Sequence, residues 1–337
     1  MLPRAFIVAV TALWAVAAAH ASGVETPLGA QSARSAGVLA VEGYDKGEQI
    51  VVMRADGSGS RMFLSSASEP AWSPDGRWLA YTRRGASGHP LVWRVRANGS
   101  QRRVVSRFAS NDVYRASSAA WSPDGRRLVF TASYYLRDAE GELVVVDNGS
   151  TSEPAGETGV FVARRDGSKP RRLRPRTDAR GPSWSPDGRS IAFGLPERNP
   201  LRSSIAVMNP AGGAVRILRR GLRLSSAPLQ YSPDGRRLLF IDGFDRDPMS
   251  LVNVRTGWLS RIPQGEHELI RSATWTTDGR VAYISVIEIT PPPGSGLPPY
   301  LPAQLFTVRP DGTGKRLLAT MPPDASDAFS WRRARSR

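Results

Sequence analysis

The residues of this sequence able to do chemistry are acids and arginines rather than nucleophiles. Ten candidates stand between copies of a recurring phrase: Glu69, Asp112, Tyr114, Arg115, Asp178, Arg180, Arg223, Glu268, Arg271 and Asp327. Carboxylates set among guanidiniums can grip a peptide or a sugar, because a guanidinium meets an oxyanion through paired N–H groups. Two carboxyl groups about 5–10 Å apart would instead suit acid–base hydrolysis of a glycoside-like bond. His267 lies between Glu266 and Glu268, whose carboxylates would raise its basicity, but no nucleophile accompanies it. His89 precedes Pro90 and reads as a solvated loop residue.

Other chemistries lack their residues. The chain has no cysteine, which removes disulfides, thiolate metal sites and a thiol nucleophile. Gly57-Ser-Gly59 and Gly294-Ser-Gly296 lack the flanks of a nucleophile elbow. Asp242-Gly-Phe-Asp-Arg-Asp247 has the acid count of a calcium loop without its alternation, and Arg246 and Pro248 oppose it. The Asn98 and Asn148 sequons are accounted for as turns. No cofactor and no metal is expected.

The elements that must position these residues come from a repeat. Pro70-Ala-Trp-Ser-Pro-Asp-Gly-Arg-Trp-Leu-Ala-Tyr81 returns at residues 119–130, 182–193 and 229–240, and in weaker form at 273–283. The aromatic anchors are Trp72, Trp121, Trp184, Tyr231, Trp275 and Trp331, and the shortest interval, 44 residues, sets the unit. Each phrase reads as a hairpin. A strand ends at the aromatic, Pro presets φ, Gly takes the left-handed position, and an alternating strand follows. A second turn of the Asp56-Gly57 or Asn98-Gly99 type comes later in each unit. Four short antiparallel strands per unit of about this length predict a β-propeller blade.

The ends of the array fit a closed ring. Residues 37–66 supply three strands without a leading one, and Phe329-Ser330-Trp331 supply a leading strand without the other three. Together they make one blade, giving an all-β, six-bladed propeller of four-stranded blades over 37–333. Removing the last dozen residues is therefore expected to open the ring.

The Trp-Ser-Pro-Asp-Gly-Arg-x-Leu/Ile-Ala/Val-Phe/Tyr phrase, with its later x-Asp-Gly-Ser turn, resembles the WD40-like (PD40) repeat of TolB-type propellers over about residues 37–333. The resemblance implies the propeller, export to the periplasm and a protein-binding habit. TolB proteins carry an extra N-terminal α/β domain, for which the stretch from residue 22 to the first expected strand is too short. The same repeat precedes catalytic domains in prolyl-oligopeptidase-like enzymes, and no such domain is expected here.

Residues 1–21 read as a signal peptide: a positive start at Met1–Arg4, an apolar run Phe6–Ala19 and an Ala19-His20-Ala21 cleavage site. The run falls short of the roughly 20 residues of a membrane span. Residues 22–36 form a linker and 334–337 a basic tail, and the mature chain is expected as a monomer. The net charge of +16 is almost all arginine, since Lys46, Lys169 and Lys315 are the only lysines. Arginine is spread along the chain, often in pairs such as Arg219-Arg220, unlike the one-faced charge of a nucleic-acid binder. The pairs read as solvated strand ends or as an attraction to an anionic cell-surface polymer.

The expected ligand face is where the outermost strand of one blade connects to the innermost strand of the next, and it holds the ten candidates. Two insertions, 134–158 and 288–303, add contact surface. The first is expected as a protruding hairpin followed by a loop from Asn148 to Glu157, the second as polyproline II. The function expected is an exported, non-catalytic binding or scaffold propeller whose partner is an envelope or extracellular protein or peptide. A propeller-type hydrolase or lyase using channel-mouth carboxylates is the alternative.

Overall fold

The structure is a computed structural model. It describes residues 37–332 apart from 44–47, 109–112, 137, 148–151, 155, 174–178, 200, 214, 225–227, 244–247, 289, 291–301 and 322–324. The expected signal peptide, the linker and the basic tail lie outside the described residues, as does most of the proline-rich 288–303 insertion.

The strands in chain order are β1 (Val38–Gly43), β2 (Gln49–Arg54), β3 (Arg61–Ser65), β4 (Ser68–Trp72), β5 (Trp78–Arg84), β6 (Pro90–Arg96), β7 (Arg103–Val104), β8 (Val113–Trp121) and β9 (Arg127–Tyr135). Next come β10 (Val145–Asp147), β11 (Ser152–Pro154), β12 (Gly156–Arg164), β13 (Arg171–Arg172), β14 (Arg180–Trp184), β15 (Ile191–Pro196), β16 (Ser203–Met208), β17 (Arg216–Leu222) and β18 (Gln230–Tyr231). The last are β19 (Arg237–Ile241), β20 (Met249–Asn253), β21 (Leu259–Arg261), β22 (Glu268–Trp275), β23 (Val281–Ile287), β24 (Gln304–Val308), β25 (Arg316–Thr320) and β26 (Ala325–Arg332).

These strands form six four-stranded antiparallel blades: β26-β1-β2-β3, β4 to β7, β8-β9-β12-β13, β14 to β17, β18 to β21, and β22 to β25. The C-terminal strand is the innermost strand of blade 1, with Trp331 opposite Leu39 and Phe329 opposite Val41. Innermost strands touch in the order β26, β4, β8, β14, β18, β22 and back to β26, so the ring is closed.

The repeated phrase does the same work in each blade. In blade 2 the Ser73 hydroxyl donates to Asp75 Oδ1 (2.6 Å), and the Arg77 N–H donates to the same oxygen (3.0 Å). The Trp78 N–H closes onto Ser73 Oγ (2.9 Å), and Gly76 has φ +62°. Ser122/Asp124, Ser185/Asp187 and Ser232/Asp234 repeat the clasp, and Thr276/Asp278 substitutes a threonine. Anchor aromatics then fill the gaps between blades. Trp121 Nε1 donates to the Ala71 carbonyl (2.9 Å), and Trp275 Nε1 to the Gln230 carbonyl (3.1 Å). Six apolar clusters alternate with the blades around the ring, and each fully buried large side chain contributes about 1.5–3 kcal/mol of transfer free energy.

Two local expectations are corrected. Glu69 on β4, Arg180 on β14 and Asp327 on β26 stand on strands rather than in connecting loops, and the innermost strands of blades 3 and 6 start at Val113 and Glu268, which puts Tyr114, Arg115, Glu268 and Arg271 on strands too. Their partner strands β9 and β23 are long enough to pair with them, and bulges at 113/115, 117/120 and 270/272 absorb the extra residues. The stretch from Asn148 to Glu157, expected as loop, contains β11 paired with β10, and Gly156 and Glu157 already belong to β12. A backbone ladder needs no apolar side chains, so a polar Ser-Glu-Pro segment offers no periodicity to read.

Candidate functional site

The ends of the innermost strands remote from the repeated turns carry the candidate site. Three residues before the aromatic anchor stand Glu69, Ser118 and Gly181, at φ +50°, +54° and +55°. Each lies where the strand slips register against its neighbour. A left-handed conformation at a non-glycine residue is uncommon and needs support from its surroundings. Here the support is a carboxylate from the preceding blade. The Ser118 N–H donates to Glu69 Oε2 (2.7 Å), and the Glu69 N–H donates to Glu42 Oε2 (3.0 Å). The Thr82 hydroxyl also donates to Glu69 Oε2 (2.6 Å), and the Ser118 hydroxyl reaches Oε1 (3.4 Å). A relay of two carboxylates thus links blades 1, 2 and 3.

Glu268 begins β22 and is buried. Its Oε2 receives the Lys315 ammonium (2.8 Å) and the Gly265 N–H (3.0 Å), and its Oε1 receives the Ser285 hydroxyl (2.7 Å). The Lys315 ammonium lies 4.4 Å from the centre of the Phe306 ring and 5.9 Å from that of Tyr283, a cation–π placement on top of the ion pair. Burial holds the Tyr283 phenol far above its ordinary value, with the charge of Glu268 adding to the shift. One of the three lysines in the chain is therefore spent within blade 6.

The other candidates fall into three groups. Arg115, Arg180 and Arg271 are exposed on innermost strands, with Arg180 and Arg271 both four residues before their anchors. Among the described residues none of the three pairs with Glu69 or Glu268. Tyr114 stacks on Tyr135 at 4.4 Å and receives the edge of His89 at 5.9 Å, joining blades 2 and 3. Arg223 is exposed after β17, and its N–H donates to Asp242 Oδ1 (3.1 Å). Asp112 and Asp178 lie outside the described residues, and Asp327 stands on β26 with its side chain outside them. Glu266 and His267 are exposed.

Two of the five carboxylates expected at the channel mouth, Glu69 and Glu268, accept three hydrogen bonds each from donors built into the ring. Glu42 joins them without having been a candidate. Its signal is an acid at the end of the apolar run Val38-Leu-Ala-Val41, a position that demands a buried partner. Among the described residues no three His, Asp or Glu side chains group closely enough to hold a metal ion. The acidic stretch at 244–247 lies outside the described residues.

Comparison with solved structures places this geometry. TolB from Acinetobacter baumannii matches with a TM-score of 0.58 at 18% identity, over 88% of this chain and 67% of that one. The fold is that of a TolB-like six-bladed propeller. A chain of a nidogen/laminin complex matches this TolB-like ring with a TM-score of 0.57 at 13% identity, over 89% of this chain and 99% of that one. A Mycobacterium tuberculosis puromycin-hydrolyzing peptidase matches with a TM-score of 0.50 at 14% identity, over 88% of this chain and 56% of that one. No family model and no curated protein matches the sequence.

Proposed function

We propose that this TolB-like propeller is an exported, non-catalytic binding module of the cell envelope. Its partner is an envelope or extracellular protein or peptide, gripped at the channel face by Arg115, Arg180 and Arg271 with Tyr114 beside them. The observation that carries the reading is the saturation of Glu69 and Glu268 by intramolecular donors. Saturated carboxylates serve the fold, Glu69 between blades 2 and 3 and Glu268 within blade 6, while exposed arginines on innermost strands keep their N–H groups for a ligand. An acidic or C-terminal peptide carboxylate suits such donors. The TolB likeness supports envelope placement, and no described helix is long and apolar enough to cross a membrane.

A pull-down from envelope extract with residues 22–337 tests this, beside a variant carrying Arg115→Gln, Arg180→Gln and Arg271→Gln. A defined envelope protein recovered by the first and lost by the second is the expected result. Turnover of an ester, lactone or peptide substrate that disappears in Glu69→Gln would overturn the non-catalytic reading.

A further inference from the structure

Blades 4 and 5 enclose a cleft of about 320 Å³, and Arg223, expected at the ligand face, is part of its lining. Among the described residues its wall carries Arg202, Arg219, Arg220, Arg223 and Arg261 against one carboxylate, Asp242. Consecutive residues of a strand point to opposite faces, so Arg219 and Arg220 should not line one cavity. They do because β17 bulges. Ile205 pairs with Arg219, but Ser203 pairs with Leu222, which leaves an extra residue at Arg220-Gly221. Gly221 takes φ +73°, and the extra residue interrupts the strict alternation of faces at this point of the strand.

The bulge is held from both directions. The Gly221 N–H donates to Glu197 Oε1 (2.9 Å), which also receives the Ser204 hydroxyl (2.6 Å). Arg202 Nη1 donates to the Gly221 carbonyl (2.8 Å). These bonds, with the positive charge of Arg220 and Arg202, keep the Glu197 carboxyl below its ordinary value. Asp242 is engaged by the Arg223 N–H. The guanidiniums of Arg219, Arg220, Arg223 and Arg261 have no hydrogen bond or ion pair to another described residue.

Guanidiniums held around one cavity repel each other, and a bound oxyanion removes that cost while filling their paired N–H groups. One phosphate group carries only about −1.5 to −2 charges, so a wall of this charge matches two phosphates better than one. The volume is at the lower end of the roughly 300–1,000 Å³ of ligand pockets, which excludes a folded partner. We propose that the cleft between blades 4 and 5 binds a diphosphate group, free or at the end of a larger molecule. This site goes beyond the channel-face reading and does not depend on it.

Titration of inorganic pyrophosphate into residues 22–337, followed by calorimetry, tests the proposal. One saturable site is expected, binding about tenfold or more tighter than sulfate or acetate. Arg219→Gln with Arg220→Gln and Arg223→Gln should weaken it about tenfold or more, and Arg261→Gln alone, on the opposing blade, should weaken it less. A control variant, Arg102→Gln with Arg103→Gln and Arg107→Gln, removes the same charge from exposed residues of blade 2 and should leave binding unchanged. Equal losses in both triple variants would reveal a diffuse field and overturn the site, as would an absence of saturable binding by the native chain. A pyrophosphate monoester that binds as tightly as pyrophosphate identifies an end group of a larger molecule. A monoester that fails identifies the free anion. The Arg115→Gln, Arg180→Gln, Arg271→Gln variant should leave all of these results unchanged.

Discussion

The two ends of the innermost strands make an instructive pair. At one end the Ser-Pro-Asp-Gly clasp recurs in blades 2 to 5 with the same donors and acceptors each time, and blade 6 keeps the hydroxyl-to-aspartate bond with threonines replacing serine and proline. At the other end blades 2, 3 and 4 share a left-handed residue, but the side chains there and their partners differ. Blade 2 has Glu69 bridging to blade 3, blade 4 has Gly181, and blade 6 has Glu268 clamped by Lys315. Repetition marks what every blade needs in order to form a hairpin. Divergence marks what joins particular blades or is left over for a ligand.

The largest effect is expected at the divergent end. Lys315→Met leaves the buried Glu268 carboxylate without its cation and should cost about 3–5 kcal/mol in denaturant unfolding. Adding Glu268→Gln to that variant should recover much of the loss. A single variant as stable as the native chain would show that the ion pair does not hold blade 6.

Next is Glu69→Ala, which strands the Ser118 N–H and the Thr82 hydroxyl and should cost about 1–3 kcal/mol. Glu69→Gln keeps an acceptor oxygen and should lose less, as read from the denaturant midpoints of the two. Equal losses would mean that charge, not hydrogen-bond acceptance, supports the left-handed residues.

The smallest effect lies at the repeated end and appears only in acid. Hydrogen bonds from Ser185 and the Arg189 N–H hold the Asp187 carboxyl below its ordinary 3.8, and Ser232 does the same for Asp234. A depressed folded pKa makes the unfolded chain bind protons first, so this stability is present above about pH 4 and declines as pH falls through the folded values. Unfolding midpoints measured from pH 7 to pH 3 should stay flat and then drop. Asp187→Asn should make the drop shallower, and an unchanged profile would remove the turns from the acid response.

Much of this architecture is legible in the residues alone. The spacing of Trp72, Trp121, Trp184, Tyr231, Trp275 and Trp331 counts the blades, because each aromatic must fill one gap between neighbours. The orphan Phe329-Ser330-Trp331 predicts ring closure, and the structure pairs it with β1. The candidate site is legible only as a set of residue types. Glu268 reads as a solvated channel acid, since Lys315 is 47 residues away and meets it through folding alone. Glu42 is hidden in the same way, because the Glu69 N–H that it accepts lies 27 residues along the chain.

What the sequence determined by itself is therefore local and periodic: hairpins, blade number and the strand that closes the ring. These follow from turn chemistry and from apolar residues at fixed intervals, interactions between near neighbours or identical copies. Only the tertiary structure decided which charges are consumed and which remain available. Register shifts accompany the placement of Glu69 against blade 3 and of Arg219 and Arg220 along one cleft. A bulge breaks the alternation on which any reading of a strand's faces depends, and its position follows from pairing with another strand rather than from the residues of its own.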